Sequence, residues 1–230
     1  TGITTNEKLA DQYASNCVYA MPLIDKNDVS ASIACTMTTK GTTDTGSSAD
    51  TASSAFYRQS RNFDSTNDTI YTTANSSDFQ FGSGDFTLEA WVLNEGGSSE
   101  SIVSCWNYPA NKRSWNLYLN GSKQVVLITS TNGSSQSDVV GPTANTAIPD
   151  NVWTHVAVTK ESNTYRCFIN GILKESNSVT ETLYSNTDDG VHIGSTYGAT
   201  EWWDGGIQDV RVYKGVAKYT SDFVVPSPSP

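Results

Sequence analysis

The chain is 230 residues long, 37% apolar and 17% charged, with 14 basic against 24 acidic side chains for a net charge of −10. That surplus of carboxylates excludes nucleic acid as a partner, because an acidic chain releases no counterions from a phosphate backbone. The longest apolar runs, such as Val125-Val126-Leu127-Ile128, fall far short of the ~20 residues a membrane-spanning helix needs, which excludes bilayer insertion.

Taken in chain order, Thr1-Gly-Ile-Thr-Thr5 has neither the basic segment nor the apolar core of a signal peptide. Helical periodicity is almost absent. Period-2 stretches separated by turn chemistry predict strands instead, beginning with Cys17–Leu23. Residues 40–54, rich in Ser, Thr, Gly and Asp, read as a polar low-complexity loop or an edge segment. From Asp85 to Asn94, Phe86, Leu88, Ala90 and Val92 alternate with Thr87, Glu89, Trp91 and Leu93, so the half-polar far face of this strand predicts a groove. Ser101–Trp106, Ser114–Leu119, Lys123–Thr129, Val152–Lys160, Thr164–Ile169, Val191–Gly194 and Ile207–Tyr213 follow as further strands. Asn120-Gly121 and Asn170-Gly171 predict type I′ turns, in which both central residues take positive φ. Pro226-Ser-Pro-Ser-Pro230 cannot join a ladder, since proline lacks an N–H. The residues alone therefore predict one antiparallel β-sandwich with an irregular N-terminal arm.

The four cysteines, Cys17, Cys35, Cys105 and Cys167, contain no CxxC pair and are too dispersed for a zinc ribbon. Three pairings are open, of which 17–35 with 105–167 is the simplest. Small buried apolar thiols are the alternative. Closing the 17–35 loop would contribute about 3 kcal/mol in the chain-entropy model, provided the protein matures outside a reducing cytoplasm. Sequons at Asn67, Asn75, Asn120 and Asn132 arise at the frequency expected by chance in a chain a quarter Ser and Thr. Trp202-Trp203 lies in a polar, glycine-rich stretch, and in a dipeptide the two rings point to opposite sides. One ring is then free to stack on a sugar while the other anchors the loop, with Tyr197, Glu201 and Asp204 beside them. Trp106, Tyr108 and Trp115 form a second aromatic set, whereas Trp91 and Trp153 read as core. Asp64, Asn67 and Asp68 form an oxygen-rich loop.

Three blocks carry a resemblance to a known family. Asp85-Phe-Thr-Leu-Glu-Ala-Trp-Val92, then Val152-Trp-Thr-His-Val-Ala-Val-Thr-Lys160 with Tyr165-Arg-Cys-Phe-Ile-Asn-Gly-Ile-Leu173, and Gly206-Ile-Gln-Asp-Val-Arg-Val-Tyr213 are similar to laminin-G-like domains of the concanavalin A-like lectin/glucanase fold. The resemblance implies an all-β, two-sheet antiparallel jelly roll over residues 53–226. Residues 1–52 would form an arm contributing the first strand and a polar loop, and 227–230 a tail. It implies ligands on the loops at one edge or on the concave sheet, here Tyr197, Glu201, Trp202, Trp203 and Asp204, and a packed histidine at His155. It also implies a structural Ca²⁺ at Gln208 and Asp209, where Gln208 replaces a charged ligand; read from the residues alone, the separate loop with Asp64 and Asp68 offers either further oxygen donors for a metal or plain Asx turns.

Glycosidases on this fold carry paired carboxylates on one strand, about 5–5.5 Å apart for a retaining mechanism. Glu89 with Glu95 and Glu201 with Asp204 lack that spacing, and no Gly-x-Ser-x-Gly elbow occurs, so no catalytic residue is expected. Lys214-Gly-Val-Ala-Lys-Tyr-Thr-Ser-Asp-Phe223 resembles the ending of such domains in tailed-phage structural proteins. That implies a virion-surface fibre, decoration or tail adhesin module, whose partners are copies of itself, other virion proteins and cell-surface glycans. A carbohydrate-binding module of a secreted bacterial protein is the alternative.

Overall fold

Strict alternation of apolar and polar side chains gives each strand one face to bury, and two such sheets then close on each other. The computed structural model describes residues 11–21, 23, 42–45, 47–50, 53–55, 59–72, 77–97, 99–197 and 201–225. Among these, the strands are β1 (Cys17–Met21), β2 (Thr42–Thr45), β3 (Ser48–Asp50), β4 (Ser60–Asp64), β5 (Thr69–Thr72), β6 (Phe86–Asn94), β7 (Glu100–Asn107) and β8 (Lys112–Leu119). They continue with β9 (Val125–Thr129), β10 (Ser137–Val140), β11 (Thr154–Glu161), β12 (Thr164–Ile169), β13 (Ile172–Ser178), β14 (His192–Ile193) and β15 (Asp204–Lys214). One antiparallel sheet runs β13-β12-β11-β6-β15-β4-β3, with β1 also paired to β15, and the other runs β10-β9-β8-β7-β14-β5-β2. The fold is the expected two-sheet sandwich.

The core lies between the sheets. Phe86, Leu88, Ala90 and Val92 of β6, Val156 and Val158 of β11 and Ile207, Val210 and Val212 of β15 meet Val103 and Cys105 of β7, Trp115, Leu117 and Leu119 of β8, and Val125 and Leu127 of β9. Burying one such side chain stabilises the fold by about 1.5–3 kcal/mol. The polar stretch at residues 40–54 supplies edge strands to both sheets, β2 against β5 and β3 against β4. The edge-segment alternative therefore holds.

β15 changes partner midway. Asp204–Ile207 pair with β4, while Val210–Tyr213 pair with β1. Between them the ladder to β6 shifts at Gln208/Arg211, where Asp209 adopts φ 52. Aspartate tolerates the left-handed region better than most residues, so this bulge re-aims the strand at modest cost.

Some local expectations require correction. Asn170 and Gly171 take φ 50 and 78 as a type I′ turn requires, but at Asn120-Gly121 the left-handed residue is Lys123, φ 59. The Asn120 side chain accepts from the N–H of Ser122 and of Gln124, and this stabilises a longer loop. Cys105 and Cys167 are free, buried thiols rather than a disulfide. They sit on strands of opposite sheets, and packed sheets lie ~10 Å apart, beyond the Cα separation a disulfide spans. Burial pushes the Cys105 thiol up to about 12. Cys17 is buried, its thiol donating to the Tyr19 carbonyl at 3.4 Å. Cys35, its expected partner, and the 227–230 tail lie outside the described residues.

The outward face of the β6–β11–β15 sheet is roofed. After β15, residues 215–223 cross it as a strap. Thr87 Oγ1 donates to the Val216 carbonyl and accepts from the Lys218 N–H, while Thr159 Oγ1 donates to the Tyr219 carbonyl. Phe223 stacks on Tyr219, with ring centroids 3.5 Å apart, and meets Phe168 and His155 edge-on. Gly171 is required where the strap lands: a Cβ there would sit 2.1 Å from the Phe223 carbonyl oxygen, and φ is 78. Beneath the strap, Glu89 accepts from Lys218 Nζ at 2.8 Å and Tyr219 Oη at 2.8 Å, with His155 Nε2 at 3.5 Å. Burial alone would raise this carboxyl, but Lys218, His155 and Arg211 together hold it well below the usual carboxylate range. The half-polar far face of β6 is thus a covered ion-pair network, not a groove. Trp91, expected in the core, points into this outward layer, half-buried and edge-on to His155. Trp153 is likewise half-buried, donating from Nε1 to Ser53 Oγ at 3.0 Å.

Candidate functional site

The second sheet carries a depression on its outward face. Its register lines up Tyr71, His192, Ser104, Asn116, Ile128 and Asp138 as one row across five neighbouring strand pairs. On β8 the core takes Trp115, Leu117 and Leu119, so Ser114, Asn116 and Tyr118 face out. The depression, of about 230 Å³, is lined by Ser99, Trp106, Tyr108, Asn116, Tyr118, Ile128, Gln136, Thr196 and Glu201.

Thr196 and Glu201 contribute to one wall, in the stretches 194–197 and 201–204. These stretches are stitched to β7 by hydrogen bonds from Gly194 N to the Ile102 carbonyl, Tyr197 N to the Trp106 carbonyl and Ser101 N to the Glu201 carbonyl. Glu201 is held at φ 64, a left-handed conformation that costs a non-glycine residue of order 1–3 kcal/mol and is tolerated where surrounding bonds over-determine it. Its Oε2 accepts from Asn116 Nδ2 at 3.0 Å, and Asn116 Oδ1 accepts from Ser101 Oγ at 2.7 Å. Burial raises the Glu201 carboxyl and the Asn116 amide offsets part of that rise. Burial, then the carboxylates of Asp138 and Glu201, push the Tyr118 phenol up to about 12. On the opposite wall the Arg113 guanidinium lies 4.2 Å over the Tyr108 ring and donates to Asn111 Oδ1 and Gln136 Oε1. Tyr108, which lines the depression, and Tyr197, next to the lining residue Thr196, have 59% and 44% of their surface exposed, the two most exposed aromatics among the described residues. Tyr197 also packs edge-on against His192, which stacks on Tyr71.

The expected site residues divide. Glu201 lines the depression, whereas Tyr197 is exposed and does not line it, although its neighbour Thr196 does. Trp203 is fully buried in the core between the sheets, so it anchors the loop and offers no stacking face. Trp202 is half-buried and does not line the depression. Asp204 begins β15, its carbonyl accepting from the Glu95 N–H, away from the cavity. Of the second aromatic set, Trp106 and Tyr108 line the site, whereas Trp115 is core and donates from Nε1 to the Phe79 carbonyl at 3.1 Å. Asn116, Tyr118 and Gln136 also line the site, and no motif marks them. The signal for Asn116 and Tyr118 is the polar–aromatic alternation of β8, of the kind β6 also shows, whereas Gln136, in the loop before β10, has none.

The expected calcium ligands do not form a cage. Asp64 accepts from the N–H and hydroxyl of Thr66, and Asp68 accepts from the Asp64 N–H. Gln208 donates to the Gln59 carbonyl, and Asp209 pairs with Arg211 at 2.9 Å. The carboxylates of Asp64, Asp68 and Asp209 are thus engaged in a turn or an ion pair, and no cluster of three or more metal-binding His, Cys, Asp or Glu occurs among the described residues. Nor is any helix among them long and apolar enough to cross a membrane.

The laminin-G-type model described as the concanavalin A-like lectin/glucanases superfamily matches residues 64–218. The chain belongs to this superfamily. No curated protein matches the sequence. Among solved structures, the fold is similar to the binding domain of Paraclostridial Mosquitocidal Protein 1, with TM-score 0.68 and 14% identity over 90% of this chain and 51% of that one. It is similar also to domain 4 of AbnA, an extracellular GH43 arabinanase from Geobacillus stearothermophilus solved with arabinotriose, with TM-score 0.64 and 13% identity over 88% and 94%. The ligand-binding domain of botulinum neurotoxin serotype D, solved with N-acetylneuraminic acid, gives 0.63 and 14% over 90% and 49%. The chain spans about half the length of these toxin domains. At such identities the likeness is one of fold.

Proposed function

We propose that this superfamily member is a non-catalytic carbohydrate-binding domain whose ligand sits in the depression on the outward face of the β7–β8–β9 sheet. The observation that carries this reading is the exposed Tyr108 ring beside Trp106, Tyr118, Asn116, Gln136 and Glu201, with a second exposed tyrosine, Tyr197, next in sequence to the lining residue Thr196. Aromatic faces cover the C–H side of a sugar ring, while amide and carboxylate groups read its hydroxyls. The domains of similar fold solved with arabinotriose and N-acetylneuraminic acid support the ligand class. A single stacked ring contributes about 1–2 kcal/mol, which leaves one site at roughly millimolar affinity. Adhesion at that strength depends on many copies acting together through effective concentration.

Such a requirement suits an extracellular or surface array. The resemblance of Lys214–Phe223 to phage endings supports a virion surface, with copies of the chain or other virion proteins as partners and cell-surface glycans as targets. The arabinanase domain, aligned along 94% of its own length, supports the alternative of a binding module in a secreted bacterial protein. A glycan array probed with the full chain tests the core reading. Binding that falls when Tyr108 or Tyr197 is changed to Ala supports it, and binding untouched by both substitutions rejects the site.

A further inference from the structure

We propose that the depression selects uncharged saccharides and rejects acidic ones, and that Glu201 is the residue setting this preference; the inference rests on the saccharide reading above. The charge inventory carries it. Among the nine lining residues Glu201 is the one with a formal charge. Asp138 adds a second carboxylate on the same face, register-paired with the lining residue Ile128. The fields of both reach the Tyr118 phenol in the cavity wall. A sugar carrying its own carboxylate would therefore enter a pocket that already holds negative potential and would be desolvated there without a counter-charge.

The nearby cation does not reverse this. Arg113 is 93% buried and covered by the Tyr108 ring; its Nη1 and Nη2 donate to Gln136 and Asn111, and its Nε, without a hydrogen-bond partner, is itself buried. It sets the position of the tyrosine and of the Gln136 amide instead of presenting N–H donors to a ligand. A neutral ring, by contrast, meets what the pocket offers. Its hydroxyls donate to the Glu201 carboxylate and accept from the Gln136 amide and the Ser99 hydroxyl. Among the residues that line the depression the inventory thus holds acceptors a polyol uses and lacks the guanidinium or ammonium that a sialic or uronic acid requires.

Glycans printed as matched pairs, each neutral hexose- or pentose-terminated chain beside the same chain capped with sialic or uronic acid, provide the test on the full protein. Neutral members are expected to bind, and the acidic caps to weaken binding roughly tenfold, the effect of one like charge near a protein surface. Glu201→Gln is expected to raise the acidic-to-neutral ratio several-fold, and Asp138→Asn, at an exposed position, to raise it less. The second variant serves even if the first unfolds. Acidic members that bind as well as neutral ones, or a ratio that neither variant moves, overturn the inference and leave the saccharide reading intact. A chain that binds no saccharide on the array overturns the saccharide reading, and this inference with it.

Discussion

The outward faces of the two sheets start from the same pattern and end differently. β6 presents Thr87, Glu89 and Trp91 away from the core, and β8 presents Ser114, Asn116 and Tyr118. On the first sheet the 215–223 strap closes over the glutamate and buries it to 4% exposure with Lys218 as its counter-ion. On the second no described segment crosses, and Glu201 and Tyr118 remain around a cavity. A polar outward face does not by itself mark a binding surface. What decides is whether the chain supplies a cover whose charges and hydrogen bonds complement it.

The largest expected effect breaks the cover. Lys218→Met leaves Glu89 buried beside fewer cations, and removing one partner of a buried ion pair costs about 3–5 kcal/mol. Urea unfolding should show a loss near the lower end, since Arg211 and His155 still face the carboxylate, and adding Glu89→Gln should restore part of it. A loss under about 1 kcal/mol would mean the strap is not what stabilises this face.

The open face carries its own pH signature through His192, whose ring is buried between Tyr71 and Tyr197. Burial lowers its pKa to about 4 from 6.5, although Asp189 pulls the other way. Below 6.5 the unfolded chain takes a proton that the native one refuses, so stability present above that pH is lost as the pH falls toward 4. Glu100 opposes this within the same range. Burial and Asp204 raise it to about 7, so its stability is present below 4.5 and lost as the pH rises through 7. The wild-type profile therefore blends both. The difference between His192→Phe and wild type isolates the histidine: the variant should gain about 2–3 kcal/mol relative to wild type between pH 7 and pH 4.5. A constant difference over that interval would mean His192 is not buried as a neutral ring.

Much of the sandwich is legible in the sequence, because period 2 is a local signal. β6, β7, β8, β11, β12 and β15 announce themselves by alternation, and β9 as a short continuous apolar run. The strap does not: Lys214–Phe223 has no strand period, and its role depends on complementing Glu89, more than a hundred residues earlier. The site is obscured for a related reason. Trp106, Asn116, Ile128 and Glu201 become neighbours only through the register of β7, β8 and β9 and the stitching of the Glu201 loop onto β7. Trp202-Trp203 misleads because its surroundings are polar, yet Trp203 threads into the core while Glu201, two residues earlier, turns toward the cavity.

The smallest effect separates rim from anchor. Tyr108→Ala should weaken glycan binding by about 1 kcal/mol, roughly fivefold, with little change in stability. Trp202→Ala should leave affinity unchanged. Equal effects of the two on binding would merge regions that the structure keeps apart.

The most direct measurement is a ¹H–¹⁵N spectrum of the isotope-labelled chain titrated with the strongest array ligand. Shifts concentrated at Tyr108, Asn116, Tyr118, Gln136, Thr196 and Glu201, with the strap from Val216 to Phe223 unmoved, are the predicted result. Shifts centred on the strap or on Trp202 and Asp204, with the β8 residues silent, would contradict the assignment of binding to the open sheet.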